Sequence, residues 1–198
     1  GEAGLGRSYG AMGAGAGDLD NDGLADLYLA NGGPLMARFE PNALFLKRED
    51  AYIEIGQQAG VANLGKGHGV AFADINEDGN LDIYLGSGGH YPGDVWPNSL
   101  YLNSGTQFNS ISINLMGSEN NQFSIGANVT VHSGQYSRIQ RLDAGSGFGS
   151  TNSYLLHYGL GVHDRIDSVF VSWPSGKQET HYPTTKERNL IFNYSQYE

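Results

Sequence analysis

One unit is written twice in this chain, and that repeat constrains the fold more than any other feature. A shift of 56 residues pairs 2–46 with 58–102 without a gap, and 15 of the 45 pairs are identical. Unrelated segments would share about 3, so the two copies are repeats of one structural unit. Ala3-Gly4 falls on Ala59-Gly60, Asp22-Gly23 on Asp78-Gly79, Asp26 on Asp82 and Pro41-Asn42 on Pro97-Asn98. Each copy reads as short strands. Leu27-Tyr28-Leu29 and Ile83-Tyr84-Leu85 follow acidic segments, and Leu44-Phe45-Leu46 and Leu100-Tyr101-Leu102 follow the Pro-Asn turns. Tyr52–Ile55 and Val70–Ala73 add two more. Such aromatic and aliphatic runs between Gly, Pro and Asn suit strands. About four strands in 40–56 residues is the size of a β-propeller blade, and a ring needs at least about four blades. The expectation is therefore a piece of a longer repeat protein, or a chain whose neighbouring blades come from other chains.

Composition narrows the classes further. Thirty of 198 residues are Gly and only 16% are charged, which excludes a coiled coil and disfavours long helices. No apolar run approaches the roughly 20 residues that span a bilayer, so no membrane insertion is expected. The net charge is −10, with 21 acids against 11 bases and no cluster of Lys and Arg, so nucleic acid is not expected as a partner. Without Cys, there is neither a disulfide framework nor a thiolate site. Charge also divides the chain. Residues 1–110 hold 14 acids and 5 bases, whereas 111–198 hold 7 and 6. The windows 18–26 and 74–82 alone contain 8 of the 21 acids. Like charges this dense repel one another and call for a bound cation.

Those windows have the spacing of an oxygen-ligand cage. Asp18, Asp20, Asp22 and Asp26 occupy positions 1, 3, 5 and 9 of the first loop, Gly23 permits a sharp turn at position 6, and Leu24 offers a carbonyl at position 7. The second copy has Asp74, Asn76, Asp78 and Asp82, with the carbonyl of Asn80. An all-oxygen, multi-carboxylate set suits a hard cation, and flexible sets of six to eight ligands favour Ca²⁺, so two Ca²⁺ sites are expected. Neither loop is an EF-hand, because position 12 is Leu29 or Leu85 and a strand follows. The alternative is an Asx-rich turn without metal.

The pattern Asp-x-Asp-x-Asp-Gly-x-x-Asp, the apolar strand, the Gly-Gly turn and the Pro-Asn-x-Leu strand resemble FG-GAP/VCBS repeats, as in integrin α-subunit propellers. The second half resembles the ASPIC/UnbV domain that follows such repeats in cartilage acidic protein-like proteins. Asn121, Ile125–Val129, Gly145–Phe148, His157–Gly161 and Trp173–Gly176 carry that likeness, with Asn128 standing where Arg is expected. The resemblance implies extracellular, calcium-stabilised interaction proteins, mostly without a defined chemistry.

From 111 onward apolar residues alternate. Ile111, Ile113 and Leu115 share a face, as do Val129 with Val131, and Val169, Val171 with Trp173. Further strands over 137–142, 153–158, 177–182 and 189–194 make seven, which predicts an antiparallel sandwich. The fold expected is all-β, with two blade-like repeats over 1–110 and a β-sandwich over 111–198. No nucleophile elbow, P-loop or zincin motif occurs, so an enzyme is not expected. His157–Gly161 and Trp173–Gly176 read as strand ends and turns rather than as catalytic or ligand-binding motifs. The loops 32–41 and 88–97 differ most between the copies and carry Met36, Phe39, Tyr91 and Trp96, candidate anchors for a partner or for the next blade. The function expected is a secreted, cell-surface or periplasmic assembly or adhesion module whose partner is a protein or another copy of the chain. A carbohydrate-binding module or glycan-acting enzyme is the alternative, with a glycan as ligand.

Overall fold

The computed structural model describes residues 3–6, 9–35, 39–184 and 187–195. Among these residues every regular element is a strand and no helix occurs that could cross a membrane. Two compact units result. The first gathers the described residues of Gly1–Leu19, Leu24–Ser104 and Gly145–Asn152; the second gathers those of Asp20–Gly23, Gly105–Ala144 and Ser153–Glu198.

The first unit contains the two repeats. Repeat one is the antiparallel sheet β1 (Ala11–Gly17), β2 (Asp26–Asn31), β3 (Ala43–Arg48) and β4 (Ala51–Glu54), paired in chain order. Repeat two is β5 (Gly67–Ala73), β6 (Asp82–Ser87) and β7 (Ser99–Tyr101), also in chain order. Its fourth strand is missing because the residues 56 beyond β4 are 107–110, where the chain already enters β8 (Asn109–Met116) of the second unit. The repeat extends to backbone detail. Register shifts fall between Ala11 and Gly13 in one copy and between Gly67 and Gly69 in the other. The Pro-Asn turn has one role in both: the Asn42 amide oxygen accepts Asn31 N–H at 2.6 Å, and that of Asn98 accepts Ser87 N–H at 2.9 Å.

Strand β1, Ala-Met-Gly-Ala-Gly-Ala-Gly, is absent from the expected strands because Ala and Gly are poor strand formers. Its glycines alternate with period two, and packing against the second sheet explains them. A Cβ on Gly15 would stand 2.9 Å from the Phe72 ring and from Val70 Cγ1. One on Gly13 would fall on the His68 carbonyl oxygen. Glycine thus lets the two sheets approach, and Val70, Phe72, Leu81 and Leu85 share one buried core with Tyr28 and Leu44. The Tyr28 hydroxyl, buried there, donates to the Val61 carbonyl at 2.7 Å. Residues 145–152 join this unit through Asn152, whose side-chain oxygen accepts Phe72 N–H at 3.0 Å.

The second unit has the seven strands expected. Sheet one runs β10 (Tyr136–Arg141), β9 (Asn128–Ser133), β12 (Ser168–Ser172) and β13 (Gln178–His181), all antiparallel. Sheet two runs β11 (Leu156–Gly161), β8 and β14 (Asn189–Asn193), and its β8–β14 pairing is parallel. Their inward residues, among them Ile113, Val129, Val131, Val169 and Trp173, form one core. Strand β11 lies three residues beyond the expected 153–158.

Gly13→Ala is expected to cost about 2–3 kcal/mol in urea unfolding, because a backbone carbonyl cannot yield to the new methyl. Ala14→Val, on the exposed side of the same strand, should stay within about 0.5 kcal/mol.

Candidate functional site

Each acidic loop is the connection between the first two strands of its repeat, and both loops have the same backbone. Position 4 is left-handed in both, with φ of 61° at Asn21 and 59° at Glu77. Position 6 is left-handed as well, with φ of 89° at Gly23 and 86° at Gly79, a conformation that glycine adopts without steric cost. These turns curl alternate side chains toward one point.

In the first loop Asp18, Asp20 and Asp22 each bring a carboxylate oxygen to within 4.8 Å of the other two. All three side chains are half-buried. Among the described residues this is the one group of three acidic or His side chains arranged to hold a metal ion. Three converging carboxylates suit a hard divalent cation, and the chain has no cysteine thiolate to offer. Leu24 follows at position 7, half-buried.

Asp26, at position 9, is fully buried and serves the backbone. Its two carboxylate oxygens accept Leu19 N–H and Lys47 N–H, each at 2.8 Å. Asp82 repeats the arrangement on Ile75 N–H at 2.9 Å and Asn103 N–H at 2.8 Å. Each ninth-position carboxylate therefore ties the start of its loop to the end of the third strand.

In the second loop the other aspartates accept amide donors. Asp74 accepts the N–H groups of Asp78 and Gly79, at 3.0 and 2.8 Å. Asp78 accepts from the Asn76 and Asn80 side chains and from Asn80 N–H, each at 2.9 Å. The Asn80 side-chain bond, with the other amides, holds the Asp78 carboxyl below its usual range. Amide donors thus occupy part of what a cation would satisfy. Asn76 and Asp78 are exposed, whereas Asn80 is buried.

Three further residues hold the tip of the first loop, and of these His157 and Gly161 bound one sequence motif while Arg138 lies outside the motifs. Within the second unit, which includes Asp20–Gly23, His157 Nε2 lies 2.7 Å from Asn21 Oδ1 and Gly161 N–H donates to the Asn21 carbonyl at 2.8 Å. The Arg138 guanidinium donates to the Gly23 carbonyl. Burial pushes the His157 imidazole down to about 4, so the ring is neutral at pH 7 and its Nε2–H donates to the amide oxygen. Nothing in the spacing of six scattered histidines distinguishes this one.

The expected anchors are distributed unevenly. Met36 lies outside the described residues. Phe39 and Tyr91 are exposed, while Trp96 is half-buried, edge-on to Phe39 at 6.5 Å, with its Nε1–H donating to Asp94 at 2.9 Å. Asp94 in turn pairs with the buried Lys66 ammonium at 2.6 Å. In the second unit Trp173 is a core residue, donating to Glu179 at 3.1 Å and lying edge-on to Tyr194 beside a small cavity of about 240 Å³.

Asp26→Ala should lower stability in chelator by about 2–5 kcal/mol, because two buried N–H groups lose their acceptor. Asp22→Asn should leave chelated protein as stable or more stable, since it relieves like-charge repulsion. Urea unfolding in EDTA compares the two. Stability should also fall with acid. The folded His157 pKa lies below the unfolded value near 6.5, so its contribution is complete above pH 6.5 and is lost as pH falls toward 4, by about 3 kcal/mol. His157→Gln keeps a donor without titrating and should flatten that part of the melting-temperature profile.

Comparison with known proteins agrees with this geometry. Residues 18–85 match the FG-GAP-like repeat model, and residues 117–198 match the ASPIC and UnbV model. Cartilage acidic protein 1 of Xenopus tropicalis is 31% identical over 133 residues, covering 65% of this chain and 20% of that protein. The chain thus spans about a fifth of the length of that relative. The acidic loops and most of their strands are thus similar to FG-GAP-like repeats, and most of the sandwich that follows is similar to the ASPIC and UnbV family.

Proposed function

We propose that this chain is a calcium-stabilised extracellular module without catalytic chemistry, which presents ordered β-sheets and loops to protein partners or to copies of itself. The observation that carries this reading is the convergence of Asp18, Asp20 and Asp22 on one point, in a loop whose backbone is reproduced in the second repeat. Asp18, Asp20, Asp22, the Leu24 carbonyl and the buried Asp26 would hold the first Ca²⁺. Asp74, Asn76, Asp78, the Asn80 carbonyl and Asp82 would hold the second. When bound, the ion supplies the positive charge that the clustered carboxylates lack and fixes each loop between its strands. The residues themselves curl the loop and anchor it to the third strand. A relative named for cartilage and for acidity and the net charge of −10 here support the setting.

Ion binding of this kind would be a stability device. At free Ca²⁺ of 100 times Kd one site adds about 2.7 kcal/mol, a large share of a typical domain's stability. Calorimetric titration of chelator-stripped protein should show two Ca²⁺ per chain, the first loop binding more tightly because Asn76 stands where the first loop has the Asp20 carboxylate. Asp18→Ala should abolish the tighter event and leave the weaker one, whereas Asp20→Asn, which copies Asn76, should only weaken it. A folded chain that takes up no calcium would remove this reading.

A further inference from the structure

The two repeats share one skeleton but differ in what covers them. In repeat one, the face carrying Tyr28 and Leu44 is buried against repeat two, with exposures of 0% and 5%. The same face of repeat two carries Tyr84, Leu100 and Leu102, which are 43%, 48% and 57% exposed. The converse holds on the other side. Val70, Phe72, Leu81, Ile83 and Leu85 of repeat two are buried, while their counterparts in repeat one, Ala14, Ala16 and Ala25, are exposed and Leu27 and Leu29 are half-buried. One end of the repeat pair therefore bears an uncovered apolar sheet face, and the other bears a shallow small-residue face.

These two faces match each other in size. Where the repeats meet, Gly15 and Gly17 lie under Val70, Phe72 and Leu81, and an added Cβ would come within 2.9 Å of the Phe72 ring at either position. On the open face of repeat two the corresponding residues are Ala71 and Ala73, each one Cβ larger. A neighbour built like repeat two would clash with them. The residues corresponding to Val70, Phe72 and Leu81 at the opposite end of this chain are Ala14, Ala16 and Ala25, each smaller. Bulk added to one face is removed from the other, so this chain's own first repeat fits its second.

Resting on the reading of the chain as an assembly module, we propose that a second copy docks head to tail, its first repeat (Ala14, Ala16, Leu27, Leu29) covering the open face of the second (Ala71, Tyr84, Leu100, Leu102). The existing interface between the repeats is the template. Such an interface uses two different patches, so each copy keeps one free face and the assembly grows into a ring or a filament. The inner end of the open face, at Gly69, is already met by Phe148 and Ser150, 3.2 and 3.4 Å from an added Cβ, so docking rests on β6 and β7.

The test uses the intact chain in calcium. Sedimentation equilibrium should give a mass that rises with concentration above that of one chain. Leu100→Glu and Ala16→Glu, both on exposed positions, should each return it to one chain, and mixing the two variants should restore one-to-one dimers and nothing larger. A cysteine pair gives a readout independent of those charges. A Cβ on Gly67 would lie 2.8 Å from that of Ala30, and the corresponding residues of adjoining copies are Ala11 and Gly86. With no native cysteine, A11C/G86C should form a ladder of disulfide-linked multimers on mild oxidation, while either single variant stops at dimers or below. A single-chain mass at every concentration without a ladder overturns the proposal, and so does association that both glutamate variants leave intact. Calcium titration of the unaltered chain separates the two readings: calcium binding by a chain that keeps a single-chain mass sinks the docking alone, whereas a folded chain that takes up no calcium sinks the calcium module.

Discussion

A carboxylate removed from water is costly unless hydrogen bonds replace its hydration, and Asp26 and Asp82 meet that condition with two backbone amides each. The consequence is mechanical as much as energetic. One short side chain joins the second residue of the loop to the end of the third strand, so loop, β2 and β3 become one body, as do the second loop, β6 and β7. The shape of the acidic turn is thus held by the chain's own hydrogen bonds. Curl and anchor together place positions 1, 3 and 5 on the same side.

The contact between the repeats depends on a different economy, that of size. Gly13, Gly15 and Gly17 have no strand propensity to recommend them, yet their missing side chains are what allow Val70 and Phe72 to reach the core. Conformational entropy is lost in fixing three glycines, and burial of large side chains offsets it. Local preference and tertiary packing disagree in β1, and packing prevails.

That disagreement marks where the fold was legible and where it was not. Alternating Val at 129, 131, 169 and 171 announces buried strand faces, and the duplicated Pro-Asn turns announce repeated hairpins, because in both cases local chemistry and final environment coincide. Strand β1 was hidden by its composition. The parallel pairing of β14 with β8 was hidden because periodicity reports a strand's faces and never its neighbour. At the site, the carboxylate spacing located both loops. It could not separate Asp26 and Asp82, which bind backbone amides, from the three aspartates that converge. Asn21, Arg138 and His157 were invisible for another reason: their partnerships join positions more than a hundred residues apart.

The two loops show why near-identical sequences need not be equivalent sites. Their backbones coincide in the left-handed residues at positions 4 and 6, so geometry does not distinguish them. Donors do. In the second loop two asparagine side chains and three loop N–H groups point at Asp74 and Asp78, lowering the potential there with neutral dipoles. In the first loop Asp20 stands for Asn76 and Leu24 for Asn80, while Asn21 stands for Glu77, so the net charge of the two loops is equal and the carboxylates are differently placed. A dipole reduces the field of a carboxylate, whereas only a cation removes the net charge of three that converge. Two copies of one turn thus differ in where their carboxylates lie, three of them converging in the first loop, and not in net charge.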